Sequence, residues 1–209
     1  APHHPFDPPG DYLARYNPDE LPLPKIDPRE PGSKTSYQQL DAQYAHNDPN
    51  GYHAAAMSDR DKREVTAAYY AMVELIDENV GRMIAALEET GQLENTIVIF
   101  MSDHGEMLGD HCIYLKGPHF YEAAVHVPLI MQWPDQFQAN QRADGLMELT
   151  DIAPTLLDAA GIKIPTAMQG KTLLPILQGT AGPHAHRDYV FSEYYNAWSH
   201  RHSYGTMYR

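Results

Sequence analysis

The stretch NTIVIFMS, residues 95 to 102, constrains the fold of this 209-residue chain more than any other segment. It is short, apolar and β-branched, the composition of a strand covered on both faces. A long helical pattern precedes it. Val65, Ala68, Met72, Leu75, Ile76, Val80, Met83, Ile84 and Leu87 recur at three- and four-residue steps, which predicts one amphipathic helix over 59 to 89. Ser58 followed by Asp61 has the form of a capping box, and Gly91 is a natural stop. A long helix feeding a buried strand predicts an α/β fold, a mostly parallel sheet flanked by helices.

Around that unit the chain reads as an extended Pro-rich segment (1–57), a helix and strand core (58–195) and the start of a C-terminal region (196–209). Residues 1 to 32 hold nine of the seventeen prolines, and proline removes a backbone donor and fixes φ, so neither a helix nor a central strand is expected there. HVPLIMQW (126–133) predicts a second strand, with Pro128 near its start. LTDIAPTLLDAAG predicts a helix capped by Thr150 or Asp151, with Pro154 in its first turn and Gly161 at its end. KTLLPILQG reads as a short helix and RDYVFSEYY as a strand, whereas SHRHSYGTMYR shows no closing element.

A net charge of -13 excludes nucleic-acid and acidic-membrane partners, because phosphate surfaces attract clustered Lys and Arg. No apolar run approaches the roughly 20 residues of a membrane helix. Cys112 is the sole cysteine, so no internal disulfide forms, and nothing assigns a cellular compartment.

In open α/β sheets ligands bind beyond the carboxyl ends of the strands, where Asp103-His104-Gly105 falls. Asp supplies hard anionic oxygens and His a neutral nitrogen, so adjacent ligands on a glycine turn suit one divalent cation. Further on, LKGPHFYE adds Lys116 and His119 in a loop, and a lysine near a metal supplies the positive charge that bound sulfate or phosphate needs. Glu106, Asp110 and His111 read as shaping the loop that delivers Lys116. The tyrosines of SEYYNAWSHRHSYGTMY read as packing and pocket rim, with Glu193 a candidate polar contact.

The whole run SDHGEMLGDHCIYLKGPHFYEAAVHVPLIMQWP resembles the ordered pattern of the sulfatases. PHHPFDPPGDYLARYNPDELPLP, MELTDIAPTLLDAAGIKIP and MQGKTLLPILQG resemble other segments of that family, so the likeness spans most of residues 1 to 195. It implies an alkaline-phosphatase-like α/β fold and Asp103 and His104 as ligands of a divalent metal, calcium first, with magnesium or manganese as alternatives. It also implies Lys116 and His3 as catalytic residues that contact the sulfate, with His3 protonating the leaving oxygen; apart from the resemblance, His119 reads as a substrate-binding residue lining the pocket with Tyr121 and Glu122. The implied substrate is a small sulfate ester or a sulfated sugar. The family's nucleophile is a formylglycine made from Cys or Ser in Cys/Ser-x-Pro-x-Arg, a pattern this sequence does not contain.

The chain opens inside a motif, which leads us to expect a piece of a longer sulfatase, inactive without the rest of its own chain. Two other readings stay open: a phosphonate or phosphate ester hydrolase of the same superfamily, and a non-catalytic acidic binding module.

Overall fold

The structure, a computed structural model, describes residues 2–30, 34, 38–39, 52, 54, 56–117, 119–195 and 204–209. Helices α1 (Gly10–Leu13) and α2 (Asp59–Glu89) precede strand β1 (Val98–Met101); helix α3 (Glu122–Val125) and strand β2 (Leu129–Gln132) follow. Helices α4 (Ile152–Ala159) and α5 (Leu174–Leu177) lead to strands β3 (Phe191–Tyr195) and β4 (Tyr204–Tyr208). The chain divides into two compact units, Ala1–Ala86 with Ser102–Val127 and Leu87–Met101 with Pro128–Arg209.

Helix α2 begins where the sequence predicts. Ser58 N and Oγ each donate to Asp61 Oδ2 at 2.7 Å, and Asp61 N donates back to Ser58 Oγ at 3.1 Å. This reciprocal cap is worth about 0.5–2 kcal/mol. The helix buries Thr66, Ala67 and Ala71 and carries the N-terminal segment along it: Arg15 pairs with Glu74 at 2.6 Å, Tyr12 hydroxyl donates to Glu78, and Arg63 donates to the Asp19 carbonyl at 2.6 Å.

That segment is not wholly extended, contrary to its proline content. Pro9 stands at the N-cap of α1, and Pro18 opens a 3-10 turn at Pro18–Glu20. A first helical turn needs no N–H from proline and uses its fixed φ, so the same residues that forbid long helices permit these short ones. Phe6, Tyr52 and Tyr114 stack in series with centroids 5.3 Å apart in each pair, and Tyr69 meets Phe6 edge-on at 5.5 Å. Each such pair contributes about 0.5–1.5 kcal/mol beyond its buried area. The core of this unit is Met107, Ile113 and Ala124, with Tyr121, Ala123 and Val125 packed on it.

In the second unit β1 pairs antiparallel with β2, from Val98 opposite Gln132 to Met101 opposite Leu129. The described strands thus contribute only antiparallel pairs to the mostly parallel sheet expected. Among the described residues between β1 and β2 only the four of α3 are α-helical, so no long crossover helix of the kind that usually joins a parallel pair lies between them. Nor is β1 fully buried: Phe100 and Met101 are exposed, as is Ile130 on β2. The predicted cap of α4 also differs. Glu148 and Asp151 form a capping box on the 3-10 turn Leu149–Asp151, and Asp151 makes no side-chain cap to α4 itself. Strand β4 corrects the expectation that the terminal stretch holds no element. Tyr204, Thr206 and Tyr208 alternate with Gly205 and Met207, and this β-type alternation pairs Tyr204–Tyr208 with β3.

Candidate functional site

Asp103 and His104 leave the carboxyl end of β1 as a preformed pair. His104 N donates to Asp103 Oδ1 at 3.0 Å, and its ring Nδ1 lies 2.8 Å from the Gly105 carbonyl oxygen. A carbonyl only accepts, so Nδ1 carries a proton, and it is Nε2 that holds the lone pair whenever the ring is neutral. Nε2 stands 3.6 Å from Asp103 Oδ2, too far for a hydrogen bond. Two acceptors side by side, one anionic and 78% exposed, are an arrangement that a cation completes. Burial raises the Asp103 carboxyl, but the His104 ring and the backbone N–H groups outweigh it and hold the acid below its usual range.

Gly105 explains the tightness of the turn. Its N–H donates to the Ala124 carbonyl at 2.8 Å, and a Cβ at this position would stand 1.9 Å from the Ala123 carbonyl oxygen. Only glycine allows the loop to lie this close to α3.

Beyond Gly105, Glu106, Asp110 and His111 each have a structural partner. Glu106 Oε1 accepts from Leu108 N at 3.1 Å and from Leu115 N at 2.5 Å. Burial pushes the Glu106 carboxyl above its usual range, against the pull of those two amides, of Lys116 and of His104. Asp110 Oδ1 accepts from Lys25 N at 2.7 Å; His111 Nδ1 donates to Glu30 Oε1 at 2.6 Å while its ring stacks on Tyr121 at 3.9 Å. Lys34 Nζ reaches the His111 carbonyl at 2.6 Å. The loop-shaping role read for Glu106, Asp110 and His111 is what these contacts show. Lys25, Glu30 and Lys34 are partners that sequence reasoning missed, and a separation of some eighty positions leaves no local signal for them.

Lys116 follows Leu115 and is half-buried, close enough to Glu106 to lower its pKa. His119 is buried, its ring 6.3 Å from that of Tyr121. His3 is exposed, stacked on the His4 ring at 4.3 Å, and its Nδ1 lies 2.6 Å from the His4 carbonyl oxygen. The structure therefore sets Asp103 beside His104, while His3 stacks on His4 and His119 lies near Tyr121. Among the described residues no group of three or more His, Cys, Asp or Glu side chains gathers as a metal cage. Pro118 and residues 196–203 of the Tyr-rich stretch lie outside the described residues, while Glu193 on β3 accepts from Tyr195 hydroxyl at 3.3 Å.

The family model described as Sulfatase matches residues 2–162. This chain belongs to the sulfatase family. An arylsulfatase of Clostridium perfringens is 35% identical over 196 residues, 92% of this chain and 38% of the relative. The solved structure of a phosphonate monoester hydrolase from Silicibacter pomeroyi superposes with a TM-score of 0.82 at 33% identity, covering 92% of this chain and 38% of that one. A structure in complex with its substrate D-glucosamine-2-N,6-O-disulfate matches at TM-score 0.64 and 31% identity, over 82% of this chain and 35% of that one. The sulfatase chain described here thus spans little more than a third of the length of these relatives. Its fold is the α/β fold of the alkaline-phosphatase-like sulfatases, and the family is one of hydrolases that use a metal ion and a formylglycine.

Proposed function

We propose that this chain supplies the metal-binding pair and the oxyanion-binding lysine of a sulfate ester hydrolase that acts on a sulfated sugar or other small sulfate ester. The observation that carries the reading is the pairing of Asp103 Oδ2 with a lone-pair-bearing His104 Nε2 at 3.6 Å. Metal–ligand bonds of about 2.1–2.6 Å fit two adjacent donors at that separation. A divalent ion held by Asp103 and His104, calcium in our reading, would act as a Lewis acid toward the ester oxygens. The Asp–His donor set also suits magnesium or manganese, and titration with each ion separates them.

Lys116 places an ammonium on the same loop, where it offsets charge on the transferred group. His3 commits Nδ1 to the His4 carbonyl, so it passes a proton from Nε2 to the leaving alcohol oxygen as the imidazolium, with both ring nitrogens protonated. His119, buried beside Tyr121, lines the substrate side of the Lys116 loop. The chain contains no Cys/Ser-x-Pro-x-Arg pattern, so no step is assigned to a formylglycine here.

The likeness to the Silicibacter phosphonate monoester hydrolase favours a second reading, hydrolysis of a phosphonate monoester at the same site. Parallel assays of the intact protein with an aryl sulfate and a phosphonate monoester decide between them. Turnover of the sulfate at the higher kcat/KM is the expected result; turnover of the phosphonate alone overturns the sulfatase reading.

A further inference from the structure

The loop between Met107 and Lys116 is held in a conformation its residues do not prefer. Leu108, His111, Cys112 and Leu115 have φ of 47°, 55°, 56° and 67°, and Gly109 lies at 91°. Side chains with a Cβ rarely adopt this left-handed region, and they remain there only where surrounding contacts over-determine the backbone. The contacts are on both ends of the loop. Glu106 Oε1 binds the amides of Leu108 and Leu115 at once, and Met107 N donates to the Leu115 carbonyl at 3.0 Å. Leu115 is the residue that hands the chain to Lys116, so the acceptor that holds its amide also decides where Lys116 begins.

We propose that Glu106 is a positioning residue: by clamping both ends of a strained loop, its carboxylate oxygen sets Lys116 in register with the Asp103–His104 pair. The role depends on the reach of an oxygen to two amides rather than on negative charge. It rests on the reading above that Lys116 meets the substrate's oxyanion. Glu106 itself touches neither metal nor substrate in this scheme.

Gln keeps an oxygen at the same reach and loses the charge, whereas Asp keeps the charge and withdraws the oxygen by one methylene. In the intact protein, measured with an aryl sulfate, E106A should lower kcat about 100-fold, the order expected for a catalytic group misplaced by about 1 Å. KM should stay within about threefold, because the lost interaction belongs to the transition state. E106Q should remain within about fivefold of the parent, and E106D should resemble E106A. Against a K116A background the E106A penalty should vanish, since a residue acting only through Lys116 has nothing left to position.

The inference is overturned if E106D outperforms E106Q, if E106A retains the parent kcat, or if its penalty persists undiminished beside K116A. Should E106A fail to fold, the order of E106Q and E106D carries the same decision. Amide hydrogen exchange at Leu108 and Leu115 reads the clamp without any turnover: protection is expected in the parent and E106Q and lost in E106D. A fully active K116A sinks the oxyanion reading and the role given to the clamp, whereas loss of activity in K116A with unprotected parent amides sinks the clamp alone.

Discussion

Each unit contains an Asp–His pair, and the two are built in opposite ways. Asp103 is exposed, and its Oδ2 sits 3.6 Å from His104 Nε2, too far for a hydrogen bond. Asp151 is wholly buried and lies between donors: Lys171 N at 2.7 Å, Glu148 N at 2.9 Å, His186 Nε2 at 2.9 Å and the Arg187 guanidinium. Glu148 in turn pairs with Arg187 at 3.1 Å and accepts from Phe191 N at 2.7 Å, so the buried cluster ties the start of α4 to β3. The same two side-chain types thus leave acceptors facing each other in one unit, the arrangement we propose for metal binding, and give cohesion in the other, where every acceptor meets a donor.

The largest expected effect tests the first half of that contrast. Asp103→Ala should cost about 1,000-fold or more in kcat/KM of the intact protein, the loss of several kcal/mol of metal assistance. Its metal affinity, read by calorimetric titration, should fall with it. Because the side chain is exposed, stability of the metal-free protein should change by no more than about 0.5 kcal/mol. A D103A protein that melts well below its parent in the absence of metal would place Asp103 among the cohesive residues and break the contrast.

Asp151→Asn tests the second half. Removing one charge from a buried, hydrogen-bonded set leaves Arg187 inadequately paired, and about 3–5 kcal/mol of stability should disappear, seen as a lower urea midpoint. An unchanged midpoint would show that the cluster is dispensable.

Two glycines sharpen the same contrast at a smaller scale. A Cβ on Gly105 or on Gly170 would stand 1.9 Å from a backbone carbonyl oxygen, of Ala123 and of Thr150 respectively. Each change to Ala should destabilise by about 1–3 kcal/mol, as other overpacked sites do. G105A should in addition weaken metal binding, because the turn it displaces carries the Asp103–His104 pair; G170A should leave metal affinity alone. Equal metal affinities in the two variants would detach Gly105 from the site.

The smallest effect is acid dependence. Burial raises the Asp151 carboxyl, but the Lys171 and Glu148 amides, His186 and Arg187 overcome it and hold the acid below its usual value. A depressed carboxyl contributes stability in full above its unfolded pKa, about 3.9, and loses it as pH falls through the folded value. Unfolding midpoints should therefore drop between those values in the parent and show less of that slope in D151N.

The proposed site was read from signals that are local. Asp103, His104 and Gly105 are consecutive, and Lys116 lies on the loop that follows. Helix α2 was equally plain, since its apolar period and its Ser58–Asp61 cap are properties of neighbouring residues. The Asp151 cluster was not legible: Asp151 reads as an ordinary helix cap, and His186 and Arg187 stand 35 and 36 positions away. β1 reads as buried, yet Phe100 and Met101 remain exposed among the described residues, because burial depends on what packs over a strand rather than on its own apolar run.

By itself the sequence determined the α/β class, the long capped helix, the residue types at the end of β1 and, through an ordered set of motifs, the sulfatase family. Those follow from side-chain period, turn chemistry and residue order, which short segments carry alone. Only the tertiary structure decided which nitrogen of His104 is left open, which oxygen clamps Leu108 and Leu115, and which aspartate is buried among donors. These depend on distances between groups remote in sequence, and a hydrogen bond or a steric contact is decided by tenths of an ångström that the order of residues does not encode.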